Sequence, residues 1–224
     1  MKKNNSAVMM LSSIVCLLPL ILSIMVYNDL PDQVAIHWDI SGNPDNHLPK
    51  AIAAFGMPFL FAVLNIVSKM RLYNDPKRAD ASLTIRTIVA WIIPITSVIT
   101  VPITLFISMG ANIPIAVVIS ALLGAVLVLV GNYLPKSRQN YTVGIRLPWT
   151  LHNADNWNKT HRLAGYLWIL GGNALIAGAF VTNENPVAGV LLTVITVVLL
   201  IIIPVCYSFY LHRKTSCTEQ ENEE

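Results

Sequence analysis

The chain has 224 residues, of which 54% are hydrophobic and only 12% charged. A soluble domain carries about a quarter charged residues, so this composition excludes one: so little polar surface cannot cover so much apolar surface in water, whereas lipid demands no cover. The net charge of +3 is too small to argue for nucleic acid, and no direct nucleic-acid contact is expected.

A spanning helix needs about 20 apolar residues to cross roughly 30 Å of hydrocarbon. Six stretches meet that length, at 7–27, 51–68, 85–108, 113–134, 163–181 and 187–210. None contains Asp or Glu, and Arg86, at the edge of the third, is the basic exception. Backbone groups cannot stay unpaired in lipid, so these stretches are expected to be helices. The expected fold is all-α: a polytopic membrane bundle of about six transmembrane helices, with residues 1–214 as the membrane domain. Residues 215–224 form a polar, acidic tail whose composition predicts disorder.

The first span follows Lys2 and Lys3, as in a signal peptide. No small-x-small cleavage site follows it and it is long for a signal core, so a retained anchor is expected. Cys16 and Cys206 fall in apolar runs and Cys217 in the tail. With no CxxC pair and none in an outer segment, neither a disulfide framework nor a zinc site is expected.

Lysine and arginine set the orientation. With the N-terminus inside, 14 of the 15 basic residues fall on the inner side and only Lys50 outside. Both termini are therefore expected in the cytoplasm. Pro19, Pro58, Pro94, Pro102 and Pro204 lie within spans, and each removes a helical hydrogen bond that a neighbouring helix must replace.

The outer loop, residues 28–50, has an extended-looking piece at 34–38 followed by the turn chemistry of Ser41, Gly42, Asn43, Pro44 and Asp45. It carries four acids (Asp29, Asp32, Asp39, Asp45) against Lys50, or −3 with neutral histidines, which favours a cationic partner arriving from outside. His37, Asp39, Asp45 and His47 fit no fixed metal spacing, so no metal and no cofactor is expected, and hydrogen-bonded loop structure is. Trp38 suits either an interface anchor or contact with an apolar ligand.

The inner loops are 69–84 and 135–162. In the second, Asn153 or Asp155 suits a helix cap. Trp157, His161, Ala164 and Trp168 then share one helical face, and Gly165, Gly171 and Gly172 permit close helix contact. His161 is read first as a structural hydrogen-bonding group. The basic residues here suit anionic lipid or, alternatively, a docking surface for a cytoplasmic protein.

Both loops carry a resemblance. The run Leu30-Pro31-x-x-Val34-Ala35-x-His37-Trp38-x-x-x-Gly42-x-Pro44-Asp45 is similar to the outer loop of the SdpI immunity-protein family. Gly131 to Lys136 read as GNYLPK, with Asn140-Tyr141, Gly144-Ile145-Arg146, Pro148-Trp149-Thr150, Trp157, His161-Arg162 and Gly165, resembles that family's inner loop. The resemblance implies a multi-pass protein of the bacterial cell membrane that protects the producing cell against a secreted killing peptide, and no enzymatic activity is expected of the chain. It implies less firmly that a transcriptional repressor is captured from the cytoplasm. On this reading His37, Trp38, Asp39, Gly42, Pro44 and Asp45 are the candidate ligand site outside. Arg138, Arg146, Trp149, Trp157 and His161 are the candidate partner site inside.

Two other classes compete. A small transporter has enough spans, but coupled carriers keep an ionisable group in the membrane, and only Asn65, Asn132 and Asn173 stand as buried-polar candidates. A hydrolase needs a nucleophile with a base, or metal ligands. No HExxH, GxSxG or intramembrane Asp pair is present, and the histidines fall on opposite sides.

Overall fold

The computed structural model describes residues 2–76 and 83–221. In chain order its elements are α1 (Lys2–Leu17), α2 (Pro19–Val26), β1 (Gln33–Trp38), β2 (Pro44–Pro49), α3 (Met57–Asn74), α4 (Leu83–Ser108), α5 (Ile115–Tyr133), α6 (Pro148–His152), α7 (Ala154–Glu184) and α8 (Pro186–Glu221). A π-helical turn, Ile52–Gly56, leads into α3, and a 3-10 turn, Leu134–Lys136, follows α5. Six helical stretches are long and apolar enough to cross a membrane: Ala7–Val26, Ile52–Asn74, Thr87–Ser108, Ile115–Lys136, Ala154–Glu184 and Pro186–Thr215. They coincide with the six expected spans, and the protein is a multi-pass membrane helical bundle. Large apolar side chains such as Phe59, Leu170 and Phe180 point outward, as a lipid-facing surface requires.

The expected inner loop at 69–84 is shorter than its composition suggested, because α3 continues to Asn74. Residues 77–82, with Lys77 and Arg78, lie outside the described residues. The last helix continues as far as Glu221, through much of the polar tail, and residues 222–224 lie outside the described residues.

The helices pack in two groups. α1 and α2 lie against α3 and α4, and α5 and α8 lie against α7. In the second group glycines set the spacing. A Cβ on Gly124 would stand 2.6 Å from the Gly172 carbonyl oxygen, and one on Gly172 would stand 2.6 Å from that of Gly124. Real Cβ atoms do not come so close, so α5 and α7 meet backbone to backbone only because both positions lack a side chain. A Cβ on Gly165 would likewise collide with the Pro135 ring, and one on Gly171 with Leu200.

Two prolines show how the chain keeps its backbone satisfied. Pro58 has no N–H to give to the Ala54 carbonyl four residues back, and the Ser23 hydroxyl on α2 donates to that carbonyl at 2.6 Å. Pro204, inside α8, leaves the Leu200 carbonyl in the same position, and the Trp168 indole on α7 donates to it at 3.1 Å. The break between α1 and α2 falls at Pro19, where Leu18 N–H turns instead to the Val15 carbonyl. Nearby, the Ser97 hydroxyl on α4 donates to the Cys16 carbonyl at 2.9 Å. Helix breakers thus become inter-helix ties.

This predicts a non-additive pair. Trp168→Phe removes the only indole donor to Leu200 and should cost about 1–3 kcal/mol, the usual consequence of orphaning a buried acceptor. Pro204→Ala restores the helix's own N–H to that carbonyl, so Trp168→Phe should cost much less in its presence. Unfolding of the four proteins in one detergent measures the coupling, and additive losses would contradict the tie.

Candidate functional site

At one end of the bundle the loop after α2 folds into an antiparallel hairpin, with Gln33 opposite Pro49, Val34 opposite Leu48 and Ala35 opposite His47. Val34 on β1 is wholly buried and clusters with Leu30, Ala53, Ala54, Val101 and Leu105. Val26, Tyr27, Leu48 and Phe55 pack around that cluster. The hairpin is therefore seated on the first three spans as part of the fold. Lys50 ties its base, pairing with Asp32 at 3.2 Å.

Asp39 organises the tip. Its Oδ1 accepts from the Ser41 and Asn43 amides at 2.8 and 2.9 Å, and its own N–H donates to the Asn43 carbonyl at 2.8 Å. Gly42 takes φ +85, which a residue with a Cβ rarely adopts. The Asn43 amide first, helped by those of Ser41 and Gly42, holds the Asp39 carboxyl below its ordinary value against an opposing desolvation. Pro44 begins β2 opposite Trp38. The register slips on either side of His37, a local irregularity of the kind that re-aims a side chain. His37 Nδ1 and Asp45 Oδ1 stand 2.6 Å apart on the exposed surface. Among the described residues no three His, Cys, Asp or Glu groups converge as metal ligands would.

Two clefts flank Trp38. One, of about 490 Å³, lies between the hairpin (Gln33, Trp38, His47) and the short connections around Asn112 and Asn183. The other, of about 500 Å³, has His37, Trp38 and Asp45 at its rim and a wall of Ile115, Ile119, Val190 and Val194 from α5 and α8. Ser120 and Thr193 are hydrogen-bonded at 3.1 Å on that wall, linking α5 to α8. All six expected outer residues thus lie in one hairpin. His37, Trp38, Asp39, Gly42 and Asp45 line the apolar-walled cleft, and Trp38, Gly42 and Pro44 line the other.

At the opposite end the second inner loop is a hydrogen-bonded knot. Asn140 Oδ1 accepts from the Thr142 and Val143 amides at 2.9 and 2.7 Å, and its Nδ2 donates to the Arg138 carbonyl at 2.8 Å. Thr150 donates to the Ile145 carbonyl at 2.8 Å and accepts from the Leu147 amide at 2.9 Å. Asn153 caps α7 by accepting from the Asn156 amide at 2.9 Å. Trp157 and His161, one turn apart on α7, are wholly buried and stack with centroids 3.9 Å apart. The Trp157 indole donates to the Ser137 carbonyl at 2.7 Å. His161 accepts from the Ile145 amide on Nε2 at 3.0 Å and donates from Nδ1 to the Trp157 carbonyl at 2.8 Å. These bonds assign the neutral Nδ1–H tautomer and use both ring nitrogens.

The inner candidates therefore divide. Arg138 and Arg146 are exposed and Trp149 is half-buried. Trp149 lies flat on His212, with centroids 5.5 Å apart, and its indole donates to the Ser208 hydroxyl at 2.8 Å. Trp157, expected to face a partner, is enclosed instead, as is His161, and both are hydrogen-bonded to the loop.

Two features escaped the sequence reading. Lys69, counted among loop cations, is buried on α3, where its ammonium donates to the Val8 carbonyl at 3.2 Å and to the Ser12 hydroxyl. Asn65, one turn above, donates to Ser12 and Ser13 at 3.1 and 3.0 Å. Among the described residues its Oδ1 is a buried atom without a partner. Asp75, after α3, accepts from the Tyr141 amide at 2.9 Å and from the Thr142 hydroxyl, joining the two helix groups at this end. Four-residue spacing from Asn65 to Lys69 was the available signal for the first; none existed for the second.

Gly144 adopts φ +118, and a Cβ there would stand 2.3 Å from His161 Nε2. Gly144→Ala combines backbone strain with a clash at the knot and should cost about 3 kcal/mol or more, read as a fall in thermal midpoint in detergent. An unchanged midpoint would mean that the loop is not packed on His161.

Known proteins resemble the chain at both ends. Residues 136–208 match the model of the SdpI/YfhL protein family, and residues 14–62 match that of a domain of unknown function, DUF1648. The first match covers the knot, α7 and most of α8; the second covers the latter part of the first span, the hairpin and the start of α3. The chain is 26% identical to "Immunity protein SdpI" of Bacillus subtilis (strain 168), over 96% of this chain and 98% of that protein. No solved structure matches. Similarity to that immunity protein thus runs along nearly the whole chain, and the segment that carries the knot resembles the SdpI/YfhL protein family.

Proposed function

We propose that this protein is a non-enzymatic membrane immunity protein that protects its own cell against a secreted, membrane-active peptide, recognised at the outer hairpin. The observation that carries this reading is the near-full-length similarity to a protein named for immunity. The concentration of basic residues at the end with the knot supports a cytoplasmic location for that end and both termini. The hairpin then faces the outside, where a secreted peptide arrives. The apolar-walled cleft beside Trp38 supports the same reading, because it opens an acidic rim onto a hydrophobic wall, the combination that suits a cationic, amphipathic ligand.

On this reading the roles divide among the hairpin residues. Asp39 and Gly42 hold the tip in shape, with Pro44 starting the return strand. His37, Trp38 and Asp45 offer contact groups. Peptide held against the cleft is kept from assembling in the bilayer. At the cytoplasmic end, Arg138, Arg146 and Trp149 are the surface available to a repressor, held in place by Trp157 and His161.

A killing peptide of the Sdp type, added to sensitive bacteria expressing the protein, tests this. Wild type should raise survival at least tenfold, and His37→Ala with Trp38→Ala at matched membrane levels should abolish most of that. Protection by both proteins would keep immunity and remove the hairpin from the site. Protection by neither would overturn immunity against this peptide class.

A further inference from the structure

At the end that carries the knot, a groove of about 800 Å³ runs between α3, α4 and the second inner loop. Its mouth holds two arginines from different parts of the chain, Arg71 in the last turn of α3 and Arg146 in the loop. Both are exposed, and neither forms an ion pair with an acidic group among the described residues. Arg146 is steadied by one donation to the Tyr141 carbonyl at 2.7 Å, which leaves most of its guanidinium N–H groups for a ligand. Asp75 also lines the groove, but its carboxylate is engaged by the Tyr141 amide and the Thr142 hydroxyl.

Above the arginines the walls become apolar, with Leu64 and Val67 on α3 and Ile93 on α4. Leu64 lies seven residues before Arg71, about 10 Å along the helix and into the span. The groove therefore presents two cations at headgroup level, with a hydrocarbon channel leading from them into the membrane. A free phosphate would use only the mouth. A soluble acidic peptide would leave the channel unfilled. A molecule with an anionic head joined to an acyl chain uses both.

We propose that this groove is a binding site for one anionic phospholipid, its phosphate between Arg71 and Arg146 and an acyl chain along Leu64, Val67 and Ile93. One wall belongs to the first helix group and the other to the loop of the second. The lipid thereby bridges the two groups beside the Asp75 tie. The site is separate from the outer hairpin and does not depend on the immunity reading.

Native mass spectrometry of the detergent-purified protein tests it, with phosphatidylglycerol and phosphatidylcholine of identical chains as probes. Wild type should retain phosphatidylglycerol in preference. Arg71→Gln with Arg146→Gln should weaken retention at least tenfold, as expected for the loss of two basic contacts at a membrane surface. Arg71→Lys with Arg146→Lys should keep most of it and shows that the site's fold tolerates substitution. Arg162→Gln with Arg213→Gln, exposed arginines outside the groove, should change nothing. Equal retention of both lipids, undiminished binding by the glutamine pair, or displacement of the lipid by inorganic phosphate or a soluble acidic peptide would overturn the proposal.

Discussion

Everything in this structure answers to one constraint: a backbone group inside the hydrocarbon has no water to turn to. Helices meet most of that demand within themselves, but prolines interrupt them. At Pro58 and Pro204 the carbonyls left without a helical donor are met by Ser23 and Trp168 from the adjoining helices. Those two bonds place α2 against α3 and α7 against α8. The glycine contact of Gly124 with Gly172 then brings α5 onto α7 at backbone distance. Defects in single helices have become the points at which helices recognise one another.

The same requirement shapes both loops, although they lie beyond the hydrocarbon. Asp39 absorbs two amides of the outer turn, and Asn140, Thr150 and His161 absorb those of the inner one. Each loop is anchored by residues buried in the helices below: Val34 in one case, Trp157 and His161 in the other. A loop ordered in this way would lose little conformational entropy on binding a ligand. The hairpin and the knot are thus carried on buried supports at opposite ends of one bundle.

Much of this was legible before the structure. The six spans follow from the length of apolar runs, the first strand and turn of the hairpin (though not its return strand) from an extended piece followed by Ser-Gly-Asn-Pro-Asp, the α7 cap from the pair Asn153 and Asp155, and the close packing from Gly165, Gly171 and Gly172. What stayed hidden depends on partners distant in sequence. Pattern alone shows that Pro204 frees a carbonyl, but not that Trp168 answers it. Lys69 reads as a loop cation until α1 is placed beside it with Ser12. Trp157 reads as an interface aromatic until the loop closes over it onto Ser137. The Asp75 contact with Tyr141 and Thr142 joins segments over 60 residues apart and leaves no trace in composition.

The functional account rests on a peptide lying against the outer hairpin and the apolar wall of α5 and α8. The most direct measurement is photocrosslinking in membranes, with a photoreactive residue placed singly at positions 38, 119, 194 and, as a lipid-facing control, 180, where Phe180 is 79% exposed. The account predicts that added killing peptide is captured from positions 38, 119 and 194 and not from 180. Capture from 180 alone, or equal capture from all four, would place the peptide in the lipid around the protein and contradict recognition at the hairpin.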